Sequence, residues 1–514
     1  MKLHSARIHN FRSIKDLSLK FEPRCQILVG INESGKSNIL KALSFLSEEE
    51  LPKKADLRLE KASEARIKEA FVRFQFKLEK KDYQNVIDNI QALIHKKKSR
   101  ETAPIAMLSG KKLSFDELVK KYEYLLYEID LDDETKYFSW YTLDKQIKIS
   151  RGWKVPIDNL PKETIVKDAS GEAIPLGSIR IISPDIAGDI DSSYLRDATL
   201  EDVDGLIGSE ISGLGDETLL GCIYWSHDPD NHLPSQVSLD GFLANPDSCL
   251  PLKHMFQLSG VDDITSELGA AHRLSVHHLR NLLSRVSKKT TNHVRKVWPD
   301  YTGIQIELEP HGDKILVSII DKDLRLEFEN RSDGFKRFVT FLLMVSAKVR
   351  TRQLVDALLL IDEPEVGLHP SGARHLLAEL LRIAETNYVV MSTHSIFMID
   401  KENIERHFIV RKKNEITTIE RAGKSEILDE EVLYRAIGYS ILETLKRHNI
   451  IFEGWTDKRI FQIAVEALGA KQKEPRKSLE ALGLCHAKGV KNIRSITALM
   501  ELSERDCLIV SDDD

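Results

Sequence analysis

An α/β fold is predicted by apolar runs that end in glycine or in acidic residues. Residues 26–29 are apolar and lead into a glycine-containing loop at 30–37, which is followed by helical spacing of apolar residues at 38–45. Much later, residues 358–361 are apolar and end in two acids. Short apolar runs with such ends are typical of buried parallel strands. A similar pair of runs near the C-terminus, at 450–452 and 507–510, predicts a second, Rossmann-like α/β unit.

Length and composition allow two or three soluble domains. The 514 residues are 42% hydrophobic and 30% charged, with a net charge of −6, so the overall charge does not indicate nucleic-acid binding. The sequence has neither an apolar run long enough to cross a bilayer nor a signal-peptide pattern. Five scattered cysteines lack metal-ligand spacing and predict reduced thiols. We therefore expect a cytoplasmic protein without a membrane partner.

Residues 30–37 fit the pattern G-x-x-x-x-G-K-[ST] of a phosphate-binding loop between a strand and a helix. Backbone N–H groups and the helix N-terminus face the phosphates in such loops. Lys36 is expected to neutralise the β- and γ-phosphates, and Ser37 to ligate Mg²⁺. The residues predicted to contact ATP from this segment are Gly30, Asn32, Gly35, Lys36, Ser37 and Asn38.

The acidic strand end at Asp362 and Glu363 is the expected second half of the same ATP site. Asp362 is predicted to hold Mg²⁺ and Glu363 to orient the attacking water as general base. Because the two halves are separated by most of the chain, the residues between them are inserted into one nucleotide-binding fold. This arrangement favours a mechanical ATPase with long appendages over a compact kinase or GTPase.

Three further segments resemble those of ABC-type ATPases of the SMC/RecF kind. Residues 330–337 resemble their signature motif, 365–370 their D-loop and 392–395 their switch histidine. In that family two heads sandwich ATP, so the resemblance implies a homodimer or a larger even-numbered oligomer. It also implies that Ser332 and Gly334 contact the partner's nucleotide and that His394 senses the γ-phosphate. Arg12 matches a position that lies near the nucleotide in these proteins.

The C-terminal runs predict a second active site built from carboxylates. Strands ending in Glu453 and in the acids at 512–514 would, if parallel neighbours, bring oxygen ligands together for Mg²⁺ or Mn²⁺. The pattern resembles a TOPRIM domain. That resemblance implies Glu453 as acid/base or metal ligand, Asp512 and Asp514 as metal ligands, and Asp457 as an additional ligand. An ordinary Rossmann-like domain with acidic strand ends is the alternative.

An ABC-type head with a largely helical insert, followed by TOPRIM, resembles the OLD (overcoming lysogenization defect) family of nucleases. The expected boundaries are 1–80 and 301–425 for the two ATPase lobes, 81–300 for an insert with dimerisation contacts and some core strands, and 440–514 for a partial TOPRIM domain. The resemblance implies metal-dependent DNA cleavage and bacterial defence against phage, often with a separate partner protein or nucleic acid. Since the sequence stops on the metal motif at Asp514, we expect residues 1–514 alone not to cut DNA.

Two other functions stay open at this point. One is a RecF/SMC-like repair ATPase that binds DNA without cutting it, and the other is an ATPase scaffold that holds a separate effector. Basic clusters at 96–100 and 288–296 are candidate DNA contacts, although runs of this kind are mostly solvated helix faces.

Overall fold

The computed structural model describes most of the chain. The described residues are 1–47, 50–58, 69–95, 106–108, 111–161, 163–167, 171, 173–226, 232–298, 303–321, 324–351, 356–400, 402–422, 446–468, 473–487, 493, 497 and 505–511.

The strands are numbered in chain order. They are β1 (Lys2–Phe11), β2 (Ile14–Lys20), β3 (Cys25–Val29), β4 (Phe71–Lys77), β5 (Ile94–His95), β6 (Ala106–Leu108), β7 (Lys111–Leu113), β8 (Tyr124–Asp130), β9 (Lys136–Trp140), β10 (Lys148–Ile149), β11 (Lys154–Pro156), β12 (Ile165–Lys167), β13 (Ala173–Pro175), β14 (Ile181–Ile182), β15 (Leu195–Asp197), β16 (Cys222–Trp225), β17 (Gln236–Ser238), β18 (Ile304–His311), β19 (Lys314–Asp321), β20 (Leu324–Glu327), β21 (Leu358–Ile361), β22 (Tyr388–Thr393), β23 (His407–Lys413), β24 (Ile416–Arg421), β25 (His448–Phe452), β26 (Gly483–His486) and β27 (Asp506–Val510).

The α-helices are numbered in the same way. They are α1 (Lys36–Ser44), α2 (Lys80–Leu93), α3 (Phe115–Val119), α4 (Pro184–Ala187), α5 (Leu200–Thr218), α6 (Leu239–Ala244), α7 (Leu250–Leu258), α8 (Ile264–Leu274), α9 (Val276–Val297), α10 (Asp333–Arg350), α11 (Pro370–Ile383), α12 (Trp455–Glu466) and α13 (Lys473–Glu480).

A six-stranded sheet joins the two distant halves of the predicted ATP site. Its order is β16-β21-β22-β3-β23-β24, and the first five strands are parallel. Strands β3, β21 and β22 are buried on both faces, which is why they read as continuous apolar runs rather than as alternation. Because parallel strands end at one edge of the sheet, the loop after β3 and the acids after β21 meet there.

Helix α1 is packed between this sheet and a second, antiparallel sheet of order β2-β1-β4-β8-β9. The apolar side chains of Ile39, Leu40 and Leu43 are buried on α1. They share one core with residues of both sheets, including Phe74 and Leu360. Packing on both sides fixes the helix whose N-terminus carries Lys36 and Ser37.

The opposite face of the central sheet is covered by helices and by a third sheet of order β17-β19-β18, with β20 beside β19. Helices α7, α9, α10 and α11 contribute to this core, among them α10, which begins at the predicted signature motif. In this third sheet β18 and β19 form an antiparallel pair. Helices α8 and α9 are separated at Ser275, whose hydroxyl accepts the backbone N–H of His278 and so begins α9.

The insert is less helical than its charged composition suggests. Helix α2 is followed by short strands rather than by continuous helix, and β8 and β9 extend the antiparallel sheet. Residues 174–195 form a small apolar core of their own. Short strands of this kind depend on tertiary pairing, which local sequence patterns do not reveal. None of the helices among the described residues is long and apolar enough to cross a membrane.

The C-terminal unit contains a parallel three-stranded sheet of order β26-β25-β27. Helix α13 ends at Glu480, and β26 begins at Gly483. The predicted metal ligands Asp512 and Asp514 lie outside the described residues.

Candidate nucleotide site and a second acidic strand end

The loop after β3 has the backbone of a tight phosphate-binding turn. Glu33 and Gly35 have positive φ values of +63° and +104°. A Cβ atom at Gly35 would lie 2.1 Å from Oγ1 of Thr417, and one at Gly30 would lie 2.6 Å from the carbonyl oxygen of Val410. Both positions require glycine because β23 and β24 approach the loop so closely that a side chain would collide with them. Gly35 also adopts a positive φ, which residues with a side chain rarely adopt.

Lys36 is buried and lies across the loop that it follows. Its Nζ donates hydrogen bonds to the carbonyl oxygens of Gly30 at 2.9 Å and Ile31 at 3.1 Å. The same atom lies 3.5 Å from Oε1 of Glu363, and the Lys36 side chain is only 4% exposed. The cation predicted to meet the phosphates and the carboxylate predicted as general base thus face one cavity.

The acidic strand end is organised by the neighbouring strand β22. The Ser392 hydroxyl donates to Oδ1 of Asp362 at 2.5 Å and accepts the backbone N–H of Glu363 at 2.9 Å. Glu363 has a φ of +46°, an uncommon conformation for this residue type that occurs often at functional sites. Nδ1 of His394 lies 3.2 Å from Oε1 of Glu363. Asp362, Glu363 and His394, predicted from separate motifs, are brought together here.

These groups line a cavity of about 740 Å³. Ser37 is exposed at the start of α1, and its hydroxyl and the Asp362 carboxylate are the hard oxygen donors that Mg²⁺ takes. The residues present therefore fit a Mg²⁺–nucleotide at this position. The lining residues are Asn32, Glu33, Gly35, Lys36, Ser37, Asn38, Ser226, Arg337, Asp362, Glu363, Val366 and Lys412.

Sequence reasoning missed three polar residues that line this cavity: Ser226, Arg337 and Lys412. Ser226 reaches it because β16 lies beside β21 in parallel, so both strands end at the same edge. The apolar run 222–225 before a polar residue was the available signal.

Arg12 lies next to the loop helix without lining the cavity. Its guanidinium is 2.8 Å from Oδ1 of the buried Asp56 and donates to Oδ1 of Asn38 at 3.3 Å. Nδ2 of Asn38 in turn donates to the hydroxyl of Ser13 at 2.8 Å. Arg12 and Asn38 thus brace the first turn of α1.

The predicted signature residues lie apart from the cavity of their own chain. Ser332 is exposed immediately before α10, and neither it nor Gly334 lines the cavity. Gly334 packs against the Gly367 turn so closely that a Cβ atom would lie 1.8 Å from the Gly367 carbonyl oxygen. Gly367 itself has a φ of +82°. The contact of signature residues with a partner's nucleotide stays a prediction.

Glu365 is a buried carboxyl group that the motif comparison did not single out. It is 5% exposed, and its Oε1 accepts the Thr393 hydroxyl at 2.5 Å and the His394 N–H at 3.4 Å. Burial raises its pKa, opposed by the Thr393 hydrogen bond. Glu365 therefore connects the segment after β21, which includes the Gly367 turn, to His394, the histidine next to Glu363.

The second acidic site is only partly within the described residues. The Glu453 N–H donates to the Val510 carbonyl oxygen at 2.9 Å, and β25 and β27 are parallel, so both strands end at the same edge. Oδ2 of Asp457 accepts the Gly454 N–H at 3.1 Å and caps α12. In the described ranges no group of three or more His, Cys, Asp or Glu residues could hold a metal ion. The assignments of Glu453, Asp457, Asp512 and Asp514 as metal ligands stay predictions.

Comparisons with known proteins agree with the nucleotide site. Residues 1–168 match a family described as "AAA ATPase domain", and residues 265–400 match one described as "AAA domain, putative AbiEii toxin, Type IV TA system". The two matched ranges contain the two halves of the nucleotide site, and the structure confirms the predicted mixed α/β fold.

The chain is also similar to the Old nuclease of Escherichia phage P2. The two are 22% identical over 496 residues, which cover 93% of this chain and 72% of that protein. A DNA replication and repair protein RecF from Microcystis aeruginosa is 43% identical over 70 residues, which are 13% of this chain and 19% of RecF. The resemblance to OLD-type proteins is thereby confirmed along most of the chain, whereas its TOPRIM part is not.

Among solved structures, an SMC head bound to the C-winged helix domain of ScpA covers 83% of this chain and 98% of its own, at 12% identity and a TM-score of 0.41. At that score the likeness adds nothing to the strand order described above.

Proposed function

We propose that this chain is an ATP-hydrolysing, divalent-metal-dependent DNA endonuclease that acts in the cytoplasm as a bacterial anti-phage effector. The observation that carries the nuclease part is the hydrogen bond between Glu453 and Val510, because it sets Glu453 beside the end of β27. The acids at 512–514 follow β27 in the sequence. The long similarity to Old nuclease supports the same function.

The ATPase chemistry follows from the cavity at the edge of the central sheet. Lys36 binds the phosphates, and Ser37 and Asp362 would hold Mg²⁺, which would supply positive charge to offset that of the phosphates. Glu363 accepts a proton from the attacking water, and His394 holds the Glu363 carboxylate in position at 3.2 Å. Ser392 fixes Asp362 and the backbone of Glu363 in one arrangement.

At the second site the chain supplies carboxylates. Glu453 acts as acid/base or metal ligand, and Asp457, Asp512 and Asp514 are the further ligands of Mg²⁺ or Mn²⁺. A divalent ion bound there would stabilise charge on the attacking and leaving oxygens of a phosphodiester. ATP binding joins two heads through Ser332 and Gly334, and the nucleotide state of that head dimer sets access of DNA to the metal site.

A supercoiled-plasmid cleavage assay tests this function, performed with Mg²⁺ or Mn²⁺ and with or without ATP, on residues 1–514 and on a chain extended past Asp514. We expect metal-dependent nicking by the extended chain that is lost in Glu453→Ala while ATP hydrolysis persists. Glu474→Ala, a carboxylate in the first turn of α13, is the matched control and keeps cleavage. Cleavage that survives Glu453→Ala would contradict the proposal.

A repair ATPase that binds DNA without cutting it is the second candidate, and the RecF similarity favours it. In that case ATP turnover rises with DNA ends, and the plasmid stays intact under every metal condition. A separate effector that co-purifies with the chain would instead support the scaffold function.

A further inference from the structure

Helix α9 is strongly basic in a chain whose net charge is negative. Its 22 residues contain six Lys and Arg side chains and no acid, while the chain as a whole has a net charge of −6. One side of the helix is apolar and buried through residues such as Leu279, Leu283 and Val294. The helix is therefore anchored to the head by that side, and most of its charges lie on the other.

Half of these cations are held by the head itself. Nζ of Lys289 donates to the Ser259 carbonyl oxygen at 2.9 Å, and Nε of Arg295 donates to that of Ile304 at 2.7 Å. Arg285 forms an exposed ion pair with Glu267 at 3.0 Å. By contrast, Arg280, Lys288 and Lys296 are exposed and form no ion pair with any residue that the structure describes.

A polar groove of about 440 Å³ runs between α9 and β18. From α9 it is lined by Arg280, Ser284, Lys288 and Asn292, which we call the α9 basic face. The four side chains recur every fourth residue, so they follow one side of the helix, and Arg280 and Lys288 are about 12 Å apart along its axis.

The opposite wall of the groove contributes two acids that share a single arginine. Glu307 and Glu309 of β18 pair with Arg325 at 2.8 and 2.5 Å. One of the two negative charges is thus offset, and the three cations Arg280, Lys288 and Arg295 leave the groove with a positive excess. Uncharged hydroxyl and amide groups are interleaved with the cations, as in surfaces that contact sugar–phosphate oxygens.

We infer that the α9 basic face binds the phosphate backbone of duplex DNA. This inference rests on the proposed function, in which DNA is the substrate, and it names a DNA-binding surface made of residues that belong to neither acidic site. Helix α9 contains no Phe, Tyr or Trp, so it lacks the aromatic platform on which single-stranded bases stack. Cations at fixed positions along a helix can contact the phosphates of a duplex. Such contacts do not depend on the base sequence.

Fluorescence anisotropy of a labelled DNA duplex tests the inference in EDTA, where metal-dependent cleavage cannot occur. We expect the full chain to bind the duplex and the double variant Arg280→Gln with Lys288→Gln to bind about tenfold more weakly or worse. Each lost phosphate contact lowers the slope of log affinity against log salt by about 0.9, so this variant should lower it by roughly 2.

The matched control is Lys145→Gln with Lys148→Gln, which removes two exposed positive charges elsewhere on the surface. It should keep both the affinity and the salt slope of the parent chain. DNA-independent ATP turnover of each variant reports an intact head. Unchanged affinity and slope in the α9 variant would overturn the inference while leaving the nuclease proposal standing.

Absence of duplex binding by the parent chain at low salt would overturn the inference as well. So would a preference for single-stranded DNA that the α9 substitutions do not alter. Loss of plasmid cleavage in Glu453→Ala with duplex binding retained would separate the metal site from the DNA-binding face.

Discussion

Lys36 and Glu363 face each other across the ATP cavity at 3.5 Å, and both are anchored by neighbouring backbone or hydroxyl groups. A nucleotide that enters this cavity therefore meets a cation already held at the phosphate-binding loop.

Removal of the Lys36 ammonium group should abolish nucleotide binding. The Lys36→Ala variant loses the cation and the hydrogen bonds that tie it to Gly30 and Ile31, and it leaves the Glu363 charge uncompensated. Binding of a fluorescent ATP analogue measures this. Lys41→Ala, on the same helix but paired with Glu50, is the control and should retain binding.

Replacement of the general base should separate binding from hydrolysis. The Glu363→Gln variant keeps its size and its backbone bond to Ser392 but cannot accept a proton, so turnover should fall by about 100-fold or more. ATP should remain bound and hold the heads together, which light scattering with ATP detects. Hydrolysis at the parent rate would show that another group is the base.

At the scale of elements, the N-terminus of α10 rests on the turn after β21 through two glycines, Gly334 and Gly367. Along the same segment, Glu365 connects that turn to Thr393 and His394 of the neighbouring strand end. The turn beneath the signature residues is thus linked by direct contacts to the histidine beside the general base. A shift of α10 would therefore be transmitted through these contacts to the Glu363 carboxylate.

A side chain at Gly334 should break this packing. In Gly334→Ala the new Cβ atom would lie 1.8 Å from the Gly367 carbonyl oxygen, so α10 must shift, at a cost of about 1–3 kcal/mol. We expect ATP hydrolysis to drop while nucleotide binding persists. Gly213→Ala, where a Cβ meets open space in α5, is the control and should leave hydrolysis unchanged.

The sequence was sufficient to predict the elements that local patterns define. The runs at 26–29 and 358–361 are continuous because both faces of each strand are buried, and both were predicted as strands. Ser226 was not predicted because β16 carries no recognisable motif. Its end reaches the cavity only because β16 pairs with β21. Arg337 was assigned only to the signature region, since its approach to the cavity depends on where α10 packs. The short strands of the insert could not be predicted, because their pairing is set by tertiary contacts.

At the scale of the whole molecule, stability should depend on two buried neutral histidines. Burial lowers the pKa of His254 and of His407 to about 4. Nε2 of His407 accepts the Asp400 N–H at 3.1 Å, which requires the neutral ring. Since an unfolded histidine has a pKa of about 6.5, the unfolded chain binds more protons between pH 4 and 6.5.

The free energy of unfolding should therefore fall as the pH drops from about 6.5 towards 4, by about 1.4 kcal/mol per pH unit for each histidine. Thermal unfolding followed by circular dichroism across this range measures the loss. In His254→Gln, the free energy of unfolding should depend less steeply on pH, by about 1.4 kcal/mol per pH unit. A slope that is identical in the parent chain and the variant would contradict the burial of a neutral His254.

The central claim is that each head holds half of an ATP site that a second copy completes. Ser332 is exposed and lies apart from the cavity of its own chain, so the claim predicts complementation between two inactive variants. Lys36→Ala cannot bind ATP but offers an intact Ser332, whereas Ser332→Arg binds ATP but cannot complete its partner's site.

ATP turnover of the two variants, measured separately and after mixing, is the most direct test. Each variant alone should be inactive, and the mixture should recover hydrolysis through mixed dimers with one complete site. Parent-rate hydrolysis by Ser332→Arg alone, or a mixture no more active than its separate components, would contradict the central claim.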